Sequence, residues 1–467
     1  MRYAEQEQYL RASRLWCAAT VFLLLGIAAF WAVFFPHASR SLYAPFAISI
    51  AVLATSICYT PDYLYLTVDP AKPARWQIKI RWRIIGAVLI VSAFLIASVA
   101  DGVLLSIAIC WLAAANVLAR KLPPQRAPIF FWGTDFFLLG ALLLNGRLNP
   151  TIVAVLLATA ANLAVVIAGR RAAAWAAVIG VSGSLLLLLF WHTREVFAAI
   201  GLLLFTAFAT AYLVLRSQQH NQKNVDSAIT ELQKFTGYSP ERIRELWLLS
   251  NQKLAENWKS AAPTQDDAER LAEWYRENSL LYLFAISAYN LEYKRIRSNL
   301  KVLHLARGSC LDYGAGNGEI VLELARRGHP VAYYDVEGET MKFARQRAAQ
   351  QGLDVRFFHA KEDLAMFAQV GRLDTVFSFD VLEHLPDLPG ELNFLASLLS
   401  PGGLLVFDVP AGSTKAHPMH LNHDLDIRAH LAAKGLRPER TVLQKLSFRK
   451  EEKYFFRAAG KRGPQPA

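Results

Sequence analysis

Residues 309–319, "SCLDYGAGNGE", place an acid, Asp312, at the end of a short apolar run and follow it with Gly314, Gly316 and Gly318 at alternate positions. Glycine at that spacing lets the backbone turn sharply and come within contact distance of a ligand. A helix that starts there points its free N–H groups at whatever is bound. A second apolar run, "VAYYD", stops on Asp335, 21 residues beyond Gly314. A carboxylate at such a strand end offers two acceptor oxygens, enough to take both hydroxyls of a ribose. Glu337 offers the same chemistry if the strand ends later. The dinucleotide fingerprint Gly-x-Gly-x-x-Gly is not met, because Glu319 fills its sixth position. Downstream, His384 in "LEHLPD" and His420 and His423 in "HPMHLNHD" are candidate proton acceptors.

From about residue 301 to 460 these motifs resemble the class I S-adenosylmethionine-dependent methyltransferases. "LDYGAGNG" matches that family's strand followed by Asp-x-Gly-x-Gly-x-Gly, and Asp335 matches the acid of its second strand. "DVRFFHAKEDL" resembles the third strand and adenine-side loop, and "LDTVFSFDVLEHLPD" the fourth-strand motif. "LASLLSPGGLLVFDVP" resembles the next helix, turn and strand, and "RTVLQKLSFRKEEKYFFRAA" the closing antiparallel hairpin. The resemblance implies a Rossmann-like α/β domain that binds S-adenosylmethionine through Asp312, Gly314, Gly316, Gly318 and Asp335. It adds Glu362 or Asp363 on the adenine side, although the family often has its acid where Ala360 stands here, and Asp380 at the end of the fourth strand.

Methyl transfer from a sulfonium is a displacement at carbon, so alignment does much of the work, and a base is needed only for an acceptor that carries a proton. His384, His420 and His423 are the candidates, while in the resembled family the Glu-His pair often only frames the pocket. A subset resembling the ubiquinone O-methyltransferases carries Glu-x-x-Glu-His, which can hold a divalent ion. Asp380, Glu383 and His384 stand at those positions, a donor set suited to Mg²⁺ or Zn²⁺. No metal is expected on the sequence alone. Enzymes that methylate exocyclic base nitrogens resemble one another in an Asn/Asp-Pro-Pro-Tyr/Phe tetrad that "SFDVLEH" lacks, so nucleic acid is not expected as substrate.

The remaining chain must position this loop. Of 467 residues, 54% are hydrophobic, and the net charge is +12. Residues 1–216 carry 17 basic and 7 acidic side chains and the rest carry 33 and 31, so the positive excess lies in the apolar half. A phosphate-binding domain would need it on the docking domain, which again weighs against nucleic acid. Eight runs approach the roughly 20 apolar residues that cross a bilayer: 15–35, 42–60, 84–100, 102–119, 128–146, 151–169, 172–191 and 196–215. Lys and Arg are richer in alternate connecting loops, the pattern of a polytopic protein with both termini cytoplasmic. Asp135, the charge inside the fifth run, is either a functional intramembrane group or a packing hydrogen bond to Asn116 or Asn162. Cys17, Cys58, Cys110 and Cys310 show no metal or CxxC spacing and read as small apolar fillers.

The expected architecture is therefore an eight-span α-helical membrane domain over 1–216, a helical connector over 217–300, and an α/β methyltransferase domain over 301–467. In the connector, the aromatics Trp274, Tyr275, Tyr282, Phe284 and Tyr289 at helical spacing are either core or the lining of a substrate entrance. The expected location is the inner cell membrane, with the lipid bilayer and a lipophilic acceptor as partners. Three functions stay open: methylation of a membrane-borne quinone, isoprenoid, lipid head group or lipid-linked sugar; methylation of a soluble molecule by an anchored enzyme; or a non-enzymatic transport or scaffold protein that senses the cofactor.

Overall fold

The computed structural model describes residues 5–16, 18, 19, 22, 62, 66–69, 72, 194–261, 268–409, 412–414, 417–439 and 453–459. The chain divides into two compact units, residues 4–225, and residues 226–467 together with 1–3.

In the first unit, the described residues show one polar knot. Asp62 accepts hydrogen bonds from Tyr9 (2.6 Å), Ser13 (3.0 Å) and Ser217 (2.5 Å). His220 stacks flat on the Tyr9 ring at 3.9 Å, and burial lowers its imidazole to about 4. A buried carboxylate is tolerated only when hydroxyls or amides satisfy it, and here three hydroxyls do so.

The expectation of an eight-span membrane domain is corrected here. Among the described residues no helix is long and apolar enough to cross a membrane. The eighth run falls in α1 (Arg194–Thr236), a 43-residue helix that continues unbroken through Arg216, Gln218, Asn221 and Lys223. Its Ala211, Leu213 and Val214 are buried against protein. Hydropathy counts apolar side chains but does not say whether lipid or protein covers them, and that ambiguity produced the expectation. The first seven runs lie almost wholly outside the described residues, as do Asp135, Asn116, Asn162 and the first three cysteines; Cys310 is described, free and buried.

The second unit begins with helices α2 (Pro240–Ala261), α3 (Ala268–Glu277), α4 (Ser279–Asn290) and α5 (Tyr293–Leu303). A sheet then alternates with helices: β1 (Cys310–Tyr313), α6 (Glu319–Arg326), β2 (Val331–Tyr334), α7 (Glu339–Gln350), β3 (Arg356–Phe358), α8 (Lys361–Val370) and β4 (Leu373–Ser378). After a 3₁₀ turn at Leu382–His384 come α9 (Leu388–Ser397), β5 (Leu399–Asp408), α10 (Ile427–Ala433), β6 (Leu436–Pro438) and β7 (Lys453–Ala458). The strand order is β3-β2-β1-β4-β5-β7-β6, with β7 antiparallel to both neighbours. The antiparallel pair is thus present, but its first strand lies ahead of the stretch quoted for it, and residues 440–452 are outside the described part.

Strands covered on both faces must be apolar throughout, which is why Leu311, Val376, Leu405 and Phe407 are fully buried and why β4 and β5 read as unbroken apolar runs. Strand order reverses between β1 and β4, the kind of switch point at whose carboxyl ends open α/β sheets bind their ligands. Helix α4 is fastened next to these strand ends. Gly338, the residue before α7, has no side chain to cap the helix, and Ser279 of α4 takes that place by accepting the Glu339 N–H at 3.0 Å. Removing that cap in Ser279→Ala should lower the stability of the full chain by about 1 kcal/mol, the usual cost of losing a helix cap. Urea unfolding measures it, and an unchanged midpoint would show that Ser279 does not join α4 to the sheet domain.

Candidate active site

The loop between β1 and α6 is built from backbone conformations that side chains resist. Gly314, Gly316 and Gly318 have φ of 76°, 53° and 77°, all left-handed. A Cβ on Gly314 would sit 2.2 Å from Val381 Cγ2, so the loop touches the segment leaving β4. Ile286 of α4 lies over Gly316, 3.1 Å from where its Cβ would be. Asn317 accepts from Asn290 Nδ2 at 3.0 Å, so α4 roofs the loop.

Asp335 closes the other side. Its Oδ2 accepts the Gly316 N–H at 2.5 Å and its Oδ1 the Val336 N–H at 2.7 Å. Burial raises this carboxyl to about 6, while the two N–H donors work against the shift. Asp312, buried at the end of β1, is pushed up to about 7 by burial, with Arg295 opposing. Glu362 and Asp363 are exposed in the first turn of α8, on the surface beyond β3, and make no contact with the glycine loop among the described contacts.

Asp380 stands beyond β4 with φ of 56°, rare for a residue with a Cβ. Two bonds hold it there: Arg295 Nη1 to its Oδ2 at 2.7 Å, and its own N–H to Asp408 Oδ1 at 2.7 Å. Neither Arg295 nor Asp408 was singled out in the sequence. The signal for Arg295 was an arginine next to Ile296 on the inward side of an amphipathic helix; Asp408 was the acid ending an apolar strand, the same signature that marked Asp335.

The 3₁₀ turn then presents Glu383 and His384. Glu383 is fully buried, neither carboxyl oxygen has a hydrogen-bond partner among the described residues, and burial raises it to about 9. His384 is lowered to about 3, first by burial and then by His420. Its Nδ1 meets the Tyr275 hydroxyl of α3 at 2.8 Å, and the His420 ring stands edge-on at 4.7 Å. Leu421 N–H donates to the Glu383 carbonyl at 2.7 Å, which ties the His417–His420 loop to the turn. His423 is half-buried on the same segment, its imidazole lowered by burial. The structure thus gathers His384 and His420 with Glu383 and Tyr275.

The residues do not fit the ion implied by the Glu-x-x-Glu-His resemblance. Asp380, its first position, is turned to Arg295. Among the described residues, the group whose ligand atoms lie within 4.8 Å of one another is Glu383, His384 and His420 instead. Of these three, His384 has its Nδ1 engaged by Tyr275.

The cradle fits S-adenosylmethionine in its residue types: three left-handed glycines form the loop, with Val381 and Ile286 packed against it, and Asp335 holds the Gly316 N–H through Oδ2. Asp335→Ala should weaken cofactor binding about ten- to a hundred-fold, the worth of a charge-assisted hydrogen bond. The accepting form is the carboxylate, so protons compete below its value near 6. Affinity of the wild type should therefore hold above that pH and fall about ten-fold per unit below it. Calorimetry on the full chain at several pH values decides, and a flat profile or an unaffected variant would remove Asp335 from the site.

Residues 286–448 match the model of a family described as a methyltransferase domain. A ubiquinone biosynthesis O-methyltransferase of Xanthomonas euvesicatoria pv. vesicatoria is 36% identical over 133 residues, covering 28% of this chain and 53% of that protein. One from Caulobacter vibrioides is 38% identical over 96 residues, covering 20% and 38%. The chain thus spans about half or less of the length of these curated relatives. An O-methyltransferase family protein from Burkholderia thailandensis aligns in structure at 16% identity and a TM-score of 0.32, covering 47% of this chain and 72% of that one. With the glycine loop, the strand order and the family match in agreement, residues 286–448 form a methyltransferase domain of the class I S-adenosylmethionine-dependent family.

Proposed function

We propose that the chain is an enzyme that moves the methyl group of S-adenosylmethionine to a hydroxyl oxygen of a small lipophilic acceptor of the quinol class. The observation that carries this reading is the wall beside the glycine loop, where Tyr275, His384 and His420 stand together at the end of β4. Such a wall suits an acceptor that must give up a proton as its oxygen attacks. A sulfonium methyl needs no such help when the acceptor is already an anion or a free amine. The surroundings suit an apolar molecule: Trp274 and Met419 share one buried cluster, and Tyr275 and Tyr282 pack against it. The names of the relatives point to the same kind of acceptor.

The protein's own part in the reaction is positioning and exclusion of water. Asp335 and the loop N–H groups orient the cofactor, and α4 covers it through Ile286 and Asn290. Bound cofactor supplies an activated methyl group. The neutral imidazole of His420, less buried than that of His384, is the candidate to take the acceptor's proton.

Incubating the full chain with methyl-labelled S-adenosylmethionine and separate pools of alkylated quinols, lipid-linked sugars, amines and soluble metabolites tests the reading. Label should enter the quinols as a methyl ether. Label on nitrogen, or in the soluble pool alone, would replace the acceptor class; cofactor binding with no transfer to any pool would favour a non-enzymatic, cofactor-sensing role.

A further inference from the structure

Tyr275 lies upstream of the residues that match the methyltransferase family, on a helix separate from the sheet. Its hydroxyl nevertheless reaches 109 residues along the chain to Nδ1 of His384, at 2.8 Å. The ring has little freedom. Trp274 stands perpendicular to it at 5.1 Å, Tyr282 lies tilted at 5.4 Å, and the His384 ring meets it edge-on at 5.7 Å. Behind Trp274 a buried cluster joins Leu254, Trp258, Leu271 and Ala285 to Met419, the residue before His420. The helical segment therefore packs at once on the turn that carries His384 and on the loop that carries His420.

Neutral imidazole bears one proton, and its two nitrogens then play opposite parts. The groups facing His384 are Tyr275 from α3, Glu383 from its own turn with Oε1 3.9 Å from Nε2, and His420 and His417 from the loop. A backbone hydrogen bond also joins the ring to Met419. A carbonyl only accepts, so it favours the proton on the nitrogen that faces it, and a donor at the other nitrogen completes the choice. A phenol as buried as Tyr275 stays protonated and can donate.

We infer that Tyr275 is a positioning residue of the methyl-acceptor site: its hydroxyl donates to Nδ1 of His384 and fixes that imidazole in the Nε2–H form, with Nε2 turned to the loop of Met419 and His420. In this form His384 links the helical segment to the loop and is not the group that removes the acceptor's proton. The edge-on ring of His420 is held in place by this link, and the wall facing the acceptor is ordered by a helix outside the sheet domain.

The inference rests on the methyltransferase reading for its kinetic consequence alone, and the test keeps the two apart. Histidine-selective ¹⁵N labelling of the full chain reads the tautomer directly, and the His384 signal is the one lost in His384→Gln. The wild type should show Nε2–H at neutral pH. Tyr275→Phe, which keeps the ring and its contacts, should show a mixture of tautomers. It should also titrate at higher pH, because the donor that stabilised the neutral ring is gone. With an acceptor in hand, kcat should fall about five-fold, as for one hydrogen bond, with the cofactor Kd unchanged. An Nδ1–H wild type, or identical spectra from both proteins, overturns the inference. So does a changed spectrum with unchanged kcat. If no acceptor is ever methylated, the functional reading fails while the spectra still decide the hydrogen bond.

Discussion

The hydrogen bond from Gly316 N–H to Asp335 joins two loops that leave different strands, and the geometry of the site follows from it. It can form only because β1 and β2 are adjacent and parallel in a register that pairs Tyr313 with Tyr334, bringing both strand ends to one level. It also needs a backbone N–H directed outward at residue 316, which a left-handed glycine allows at no steric cost and other residues resist. β4 adds the third side through the contact between Val381 and Gly314. Three strand ends thus meet where the strand order reverses, and every residue of the candidate site except those of the helical segment and the post-β5 loop hangs from them.

Burial has a consistent electrostatic result across this site. Asp312, Asp335 and Glu383 are all raised and His384 is lowered, so each shift favours a neutral form. The shared cause is desolvation, which penalises charge of either sign. Arg295 is the charged exception, and it is paired with Asp380. Raised carboxyls stabilise the fold fully below their unfolded values near 4, and that contribution is lost as the pH climbs through about 6, 7 and 9 in turn. A cofactor that brings a positive sulfonium and sugar hydroxyls supplies what the ionised acids lack. Binding and ionisation of Asp335 are therefore coupled.

The α/β half was legible because its signals are local. Glycines at alternate positions after an apolar strand, and an acid closing the next one, are each confined to a few residues, and the structure sets Gly314, Gly316, Gly318 and Asp335 side by side. The adenine-side acids carry a less specific signal: two acids in the first turn of a helix are equally what a surface helix start requires, and Glu362 and Asp363 are exposed there. The pairings made by Arg295 and Tyr275 lay beyond sequence reasoning for another reason. Their partners Asp380 and His384 are 85 and 109 residues away, and no local periodicity encodes such a pairing. The apolar half failed at a coarser level: among the described residues no helix is long and apolar enough to cross a membrane, and hydropathy alone does not say what covers an apolar run.

Among the aromatics of the helical segment, Trp274 and Phe284 are core, and Tyr275 packs against the core while also reaching a polar partner. Trp274 is packed into a buried cluster, and its neighbour Tyr275, on the next face of the same helix, reaches the His384 imidazole. Successive helical residues point about 100° apart, so one short helix can anchor itself with one side chain and deliver the next to a partner. Ser279 repeats the arrangement on α4, where a buried hydroxyl caps a helix of the sheet domain while Ile286, two turns on, lies over the glycine loop. Anchor and working residue are thus coupled through the same rigid element. A substitution that loosens Trp274 should therefore disturb the contact of Tyr275 with His384, and one that loosens Ser279 the seat of Ile286 over the glycine loop.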